Sequence, residues 1–131
     1  MKLDKGELGR QMAKRLWASI NLVENGSPID KMGVDAYDGN RSIQIKYDET
    51  MARTENIYHE IYEKSYPAQL WRNSPHKCDA YIFCTIGYAL RVSQNELTKT
   101  EIGRTLTQIS ETSVGFLIPI KNVLCEVKYE R

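Results

Sequence analysis

Apolar side chains near the start of the chain recur at the spacing of a helix. The positions that repeat every four residues are Leu8, Met12, Leu16 and Ile20. Ala13 and Trp17 widen this apolar stripe, and Asp4 stands where an N-cap is expected. The pattern predicts an amphipathic first helix, which the loop-forming residues 25–28 bring to an end.

Two short segments then alternate between apolar and polar residues, as half-buried strands do. They are residues 33–37 and 41–47, and the Asp38-Gly39-Asn40 step between them is typical of a tight hairpin turn. The pattern therefore predicts a β-hairpin in which each strand has one apolar and one polar face.

Beyond the hairpin, the pattern predicts helices and strands in alternation. A second helix is predicted over residues 50–64, strands over 80–86 and 88–92, a third helix from the spacing of Ile102, Leu106 and Ile109, and strands over 114–120 and 123–129. Pro119 makes the strand over 114–120 either an edge strand or one that ends there. This order predicts a single domain over residues 1–131, of the α/β or α+β class, with a mixed sheet flanked by helices.

Composition and charge narrow the class of protein. Hydrophobic residues make up 41% and charged residues 27% of the 131 residues, which is ordinary for a globular domain. No apolar run is long enough to span a membrane or to act as a signal peptide, so the sequence predicts an intracellular, cytoplasmic protein. The three cysteines lack zinc-site spacing, which predicts reduced thiols. A net charge of +1 requires that any nucleic acid be held by a local patch.

The polar faces of the predicted hairpin carry the candidate chemistry. Gln44 and Lys46 lie on the face opposite the apolar one in the second strand, and Asp35 does so in the first. An even-numbered turn, of two or four residues, sets Asp35 opposite Gln44 and Gly33 opposite Lys46. Opposed Cβ atoms are about 5 Å apart, so the three polar side chains are predicted to converge.

These groups suit a magnesium site beside a phosphate. The carboxylate of Asp35, the amide oxygen of Gln44 and the carbonyl of Ile45 are hard oxygen donors, which Mg²⁺ prefers. Lys46 adds a positive charge next to them. Phosphodiester hydrolysis needs an activated water and charge stabilisation at phosphorus, and a metal ion together with a lysine can supply both.

The segments Gly33-Val34-Asp35 and Ile43-Gln44-Ile45-Lys46 resemble the core motif of the PD-(D/E)xK nucleases. Glu7 in the first helix matches an auxiliary metal-site carboxylate of several members. The resemblance covers residues 4–65; the order of its parts is similar to archaeal Holliday junction resolvases, and the Q-x-K form to Mrr-type restriction endonucleases.

The resemblance implies a restriction-endonuclease-like core and Mg²⁺- or Mn²⁺-dependent hydrolysis of DNA by Asp35, Gln44, Lys46 and Glu7. Asp35, Gln44, Glu7 and the carbonyl of Ile45 would hold the metal ion. A homodimer is expected for a symmetric DNA substrate, with the apolar segments 114–120 and 123–129 as its interface.

Gln44 departs from the family pattern, which has Asp or Glu at that position. A neutral amide binds Mg²⁺ more weakly than a carboxylate. Weaker metal binding, compensation by Glu7 or Asp38, or an inactive site are the alternatives. An inactive chain would be a nucleic-acid-binding module with the nuclease fold, and a protein-interaction domain with a solvated hairpin face is a third hypothesis.

A second set of residues is a candidate for contact with nucleic acid. The segment 64–78 contains no acidic residue, and basic and aromatic side chains are interleaved in it. The candidates are Lys64, Trp71, Arg72, His76 and Lys77. The alternative is a loop in which Trp71 fills the core.

Some charged residues have simpler interpretations. Glu7 has the spacing of a capping box with Asp4, so it is either a ligand or a cap, or both. Arg10, Lys14 and Arg15 are predicted to be solvated on the polar face of the first helix, with contact to phosphate as the alternative. His59 is predicted to be a surface residue of the second helix.

Overall fold

The computed structural model describes residues 4–63, 78–108 and 113–130. The helices are α1 (Lys5–Leu16), α2 (Pro28–Lys31), α3 (Met51–Thr54) and α4 (Gln94–Glu101). The strands are β1 (Asn21–Leu22), β2 (Ala36–Asp38), β3 (Arg41–Tyr47), β4 (Asn56–Glu63), β5 (Ala80–Cys84), β6 (Tyr88–Ser93), β7 (Thr107–Gln108), β8 (Ser113–Pro119) and β9 (Glu126–Tyr129). A 3₁₀ turn, Ile120–Asn122, joins β8 to the segment before β9.

The strands form two sheets. The larger has six strands in the order β1-β2-β3-β5-β6-β9, and the smaller has three in the order β4-β8-β7. Strand β3 runs parallel to β5, and the other pairs are antiparallel. The prediction of a mixed α/β fold with helices flanking the sheet is therefore confirmed.

Helix α1 covers one face of the larger sheet. It begins where the Asp4 carboxylate accepts a hydrogen bond from the N–H of Gly6, as the sequence predicts. Its apolar stripe packs against side chains of β3 and β5. The buried residues in this layer include Met12, Ala13, Trp17, Ile43, Ile45 and Ile82.

The smaller sheet and α4 cover the opposite face of the larger sheet. Tyr81 and Phe83 of β5 pack there in one buried cluster with Ile57 of β4 and Ile118 of β8. Gln44 and Lys46 share this face, because Gln44 is the cross-strand partner of Tyr81 and Lys46 that of Phe83. The polar face of the hairpin therefore lies beside a second core.

The predicted helix over residues 50–64 is wrong. Helix α3 ends at once, because Glu55 takes the left-handed conformation (φ 57°), and the chain continues as β4. Strand β4 alternates with period two, burying Ile57 and His59 while Tyr58 and Glu60 stay partly exposed. Isoleucine and aromatic residues suit both periods, and pairing with β8 selects the strand.

The third predicted helix lies earlier in the chain than its apolar spacing indicated. The N–H of Glu96 donates to the hydroxyl of Ser93, so α4 begins at a serine N-cap and ends at Glu101. Ile102 is 78% exposed and Leu106 is 48% exposed. These side chains are therefore not the buried stripe of a helix, and Ile109 lies outside the described residues.

The C-terminal strands lie close to their predicted positions. Strand β8 ends at Pro119, as the proline predicts, but it is the central strand of the smaller sheet. Strand β9 is an edge of the larger sheet. Cys78, Cys84 and Cys125 are free thiols, and none of the described helices is long and apolar enough to cross a membrane.

Candidate functional site

The β2–β3 hairpin has the predicted turn. Asp38 pairs with Arg41 across Gly39 and Asn40, and Ala36 pairs with Ile43, which is the even-numbered register. The regular pairing ends at Ala36 and Ile43. The preceding residue, Asp35, donates its N–H to the carbonyl of the same Ile43, at 2.8 Å.

The residues before Asp35 turn away from β3. The N–H of Gly33 donates to the carbonyl of Asp30 at 2.9 Å, so Gly33 belongs to the turn that follows α2. The predicted strand over residues 33–37 is therefore too long at its start, and the predicted pairings of Gly33 with Lys46 and of Asp35 with Gln44 are wrong. The departure leaves the N–H of Ile45 without a backbone partner from β2, and the Asp35 carboxylate accepts it at 2.7 Å.

The carboxyl group of Asp35 is a buried acid, with 19% of its side chain exposed. Burial raises its pKa to about 6, and the negative charge of Asp30 adds to the rise. The hydrogen bond from Ile45 and the positive charge of Lys46 act in the opposite direction. The structure thus places the carboxylate of Asp35 on the peptide N–H that lies between the side chains of Gln44 and Lys46.

Arg10 is buried beside this carboxylate, so the prediction that it is solvated is wrong. Its guanidinium donates to the carbonyls of Asp35, at 3.3 Å, and of Val23. The nearest carboxylate oxygens are those of Asp35 at 3.7 Å and of Glu7 and Asp30 at 3.9 Å each. One buried cation therefore neutralises part of an acidic cluster.

The close approach of α1 to β3 positions Arg10. Gly9 lies against Ile45 and Tyr47, and a Cβ at this position would be 3.3 Å from a side-chain carbon of each. The sequence offered one signal for this packing, a glycine within a predicted helix next to the apolar stripe. The two other basic residues predicted to be solvated with Arg10 are also bound: Lys14 to the carbonyls of Ala18 and Ile20, and Arg15 to Glu130.

Glu60 is a site residue that the sequence did not indicate. Its Oε1 lies 3.7 Å from Nζ of Lys46, and its Oε2 accepts a hydrogen bond from the hydroxyl of Ser113. The Ser113 hydroxyl is also 2.7 Å from that of Tyr58. The contact with Lys46 depends on β4 being a strand of the smaller sheet, so a predicted helix concealed it.

Glu7 contacts the site through Arg10. Its carboxylate accepts a hydrogen bond from the Gln11 amide at 3.3 Å and lies near Nε of Arg10. Asp38, the other acid considered as a compensating ligand, is instead paired with Arg91 at 2.8 Å. Within residues 4–63, 78–108 and 113–130, no three His, Cys, Asp or Glu side chains form a group suited to a metal ion.

The other predicted contacts divide between described and undescribed residues. The nucleic-acid candidates Lys64, Trp71, Arg72, His76 and Lys77 lie outside the described residues. His59 is buried at 4% exposure, so its prediction as a surface residue is wrong. The homodimer and its interface stay predictions.

Comparison of the chain with protein-family models, curated proteins and solved structures finds no match. What the protein does is therefore inferred from its own residues.

The raised pKa of Asp35 predicts how stability depends on pH. The folded-state pKa of about 6 exceeds the ordinary value of 3.8, so the folded protein holds a proton that the unfolded chain releases between these values. The contribution of this carboxyl group to the stability of the fold is largest below about pH 4, and it is lost as the pH rises to about 6. Asp35→Asn keeps an acceptor for the N–H of Ile45. At pH 7.5 we expect the free energy of unfolding of this variant to exceed that of wild type by about 2 kcal/mol.

Urea unfolding in EDTA at pH 4 and pH 7.5 measures this difference. At pH 4 the two proteins should be about equally stable, and Glu24→Gln, which changes an exposed acid, should match wild type at both values. A less stable Asp35→Asn at pH 7.5 would mean that attraction to Arg10 outweighs the cost of burial.

Proposed function

We propose that the protein is a metal-dependent DNA endonuclease of the PD-(D/E)xK type, with Asp35, Gln44 and Lys46 at its centre. The observation that carries the proposal is the hydrogen bond from the N–H of Ile45 to the carboxylate of Asp35. Since Ile45 lies between Gln44 and Lys46, this bond brings an acid, an amide and an amine to one end of the hairpin.

The donor set suits a divalent cation by its chemistry. Asp35 and the nearby Asp30 supply carboxylates, and Gln44 and the carbonyl of Ile45 supply neutral oxygens. Burial, and to a smaller extent the negative charge of Asp30, disfavours the ionised form of Asp35, and a bound cation would offset both effects. Mg²⁺ or Mn²⁺ bound there would acidify a water molecule and offset the charge of a phosphate.

The chain's own residues would position the reacting groups and balance their charges. Lys46 has 41% of its side chain exposed, so its ammonium group is accessible to a phosphate oxygen. Glu60 holds that ammonium group from the side of the smaller sheet and limits its rotation. Arg10 fixes the backbone of Asp35 through its carbonyl and balances its charge.

Cleavage of a panel of substrates tests the proposal. The panel contains plasmid, single-stranded and four-way-junction DNA and an RNA, each with Mg²⁺ or Mn²⁺. We expect wild type to cut at least one DNA, and Asp35→Ala and Lys46→Ala each to slow it at least 100-fold, about 3 kcal/mol in the barrier. Lys31→Ala, which removes an exposed lysine, should cut at the wild-type rate.

The proposal fails if wild type leaves every substrate intact, or if Asp35→Ala cuts as fast as wild type. Circular dichroism of each variant checks that its fold is retained. If Lys46→Ala alone keeps the wild-type rate, Lys46 has a structural role only.

A second candidate function is a non-catalytic nucleic-acid-binding module. Arg10 favours it, because its guanidinium already supplies positive charge to Glu7, Asp30 and Asp35, and Gln44 adds no further charge. Calorimetry with Mn²⁺ separates the two functions. Binding of DNA without binding of Mn²⁺, and without cleavage, would favour the module.

A further inference from the structure

A cleft of about 670 Å³ opens beside β6 and β9, the two strands of the larger sheet that lie farthest from β2. One wall consists of Tyr88 and Leu90 of β6 with Val127 and Tyr129 of β9. The opposite rim carries Glu55, at the corner between α3 and β4, and Lys121, in the 3₁₀ turn after β8. The volume is typical of a pocket for a small organic ligand.

The cleft lies on the same face of the sheet as the candidate site. Lys46, Phe83, Leu90 and Val127 are successive cross-strand partners, so their side chains point to one face. Leu90 is two strands away from Lys46, which corresponds to about 10 Å. Phe83 and Leu90, which lie between Lys46 and the more exposed Val127, are buried in the core under the smaller sheet.

The aromatic wall has one fixed ring and one exposed ring. The hydroxyl of Tyr88 donates to the carbonyl of Met51 at 3.2 Å, which holds the ring in place. Tyr129 packs against it with ring centroids 6.1 Å apart, yet 72% of Tyr129 is exposed. An exposed aromatic ring on a strand is a platform on which a planar ring can stack.

The rim carries one acidic and one basic residue. Glu55 is held by its backbone, since its N–H donates to Met51 and its carbonyl accepts from Ile120, both at 2.9 Å. Burial and then the negative charge of Glu55 raise the pKa of Tyr88. Among the described residues neither Glu55 nor Lys121 forms an ion pair, so both are available to a ligand.

We propose that this cleft binds a nucleotide: its base stacks on Tyr129, its amino group donates to Glu55 and its phosphate pairs with Lys121. The ligand class rests on the proposed function, which supplies nucleic acid as the partner. Guanine, cytosine and adenine carry an exocyclic amino group, whereas thymine and uracil do not. The carboxylate of Glu55 therefore favours amino-bearing bases, and a phosphate without a base has only Lys121 to bind.

Nuclear magnetic resonance titration of the whole chain in EDTA tests the proposal. The probes are dGMP, dCMP and dTMP, and the hexanucleotides of deoxycytidine and of thymidine. We expect saturable shifts of the amide signals of residues 55, 121 and 129, with dGMP and dCMP binding at least fivefold more tightly than dTMP. Shifts with the hexanucleotides alone would identify the ligand as a base within a strand.

Variants separate the parts of the site. Tyr129→Ala should weaken binding at least fivefold, whereas Tyr129→Phe should keep it, because only the ring is needed. Glu55→Gly, which suits the left-handed backbone, should bind all bases about equally. Ile102→Ala, an exposed apolar residue outside the cleft, should bind like wild type.

The proposal is overturned if neither nucleotides nor hexanucleotides shift these signals, or if Tyr129→Ala binds as tightly as wild type. Its failure is distinct from failure of the nuclease proposal, because binding is measured without metal or cleavage. A chain that binds nucleotides here and cuts no DNA would refute the nuclease function alone.

Discussion

Replacing Glu101 with alanine is expected to lower the free energy of unfolding by about 4 kcal/mol. Glu101 and His59 are 3% and 4% exposed, and the carboxylate is hydrogen-bonded to Nδ1 of the imidazole. Nε2 of His59 is buried and has no hydrogen-bond partner among the residues that the structure describes. Removing Glu101 would therefore leave the whole ring unbonded beside Tyr81, whose ring centroid is 4.9 Å away.

Urea unfolding at neutral pH measures the loss. The matched control is Lys99→Ala in the same helix, whose side chain is 72% exposed and whose removal should change stability by less than about 0.5 kcal/mol. The double variant His59→Leu, Glu101→Leu removes both polar groups, and we expect it to recover most of the loss. A single variant as stable as wild type would show that the pair contributes nothing.

Replacing Gly115 with alanine is expected to cost about 3 kcal/mol or more. Gly115 lies in β8 opposite Glu60, and an added Cβ would be 2.3 Å from the carbonyl oxygen of His59 and 2.9 Å from Cα of Glu60. Both contacts are with backbone, which no side-chain rotation can relieve. Strand β4 would have to separate from β8 next to its bulge at Glu60.

Thermal and urea unfolding of Gly115→Ala measure this effect. Gly6→Ala is the control, because the nearest atoms to its added Cβ are those of the Asp4 side chain, at 3.5 Å or more, and alanine favours the helix. We expect this control to be at least as stable as wild type. If Gly115→Ala also unfolds like wild type, the backbone of β4 does not pack closely enough against Gly115 to exclude a Cβ. Since Glu60 holds Lys46, we further expect Gly115→Ala to reduce any cleavage activity.

Local signals gave the parts of the fold that depend on neighbours in sequence. The carboxylate of Asp4 caps α1, and the Gly39-Asn40 step makes a two-residue turn. Each of these is a hydrogen bond or a backbone conformation within a few residues, so residue type and spacing determine it. The prediction of β5 and β6 succeeded for a similar reason, because Gly87 separates two runs of strand-forming residues.

The strand β4 shows where such signals end. Its aromatic and isoleucine residues satisfy a helical and an alternating pattern alike, and the side chains that choose between them belong to β8. The sequence separation between β4 and β8 made this pairing invisible to local patterns. The error also hid Glu60 and turned buried His59 into an expected surface residue.

The hairpin site divides in the same way. Its turn, the register at Ala36 and the presence of Asp35, Gln44 and Lys46 follow from the sequence, because strand periodicity and turn chemistry are local. The tertiary structure alone decided that Asp35 binds the N–H of Ile45, that Arg10 lies among the acids and that Glu60 holds Lys46. These contacts join elements that are distant in sequence, and packing of α1 and of the smaller sheet against the two faces of the larger sheet brings them together.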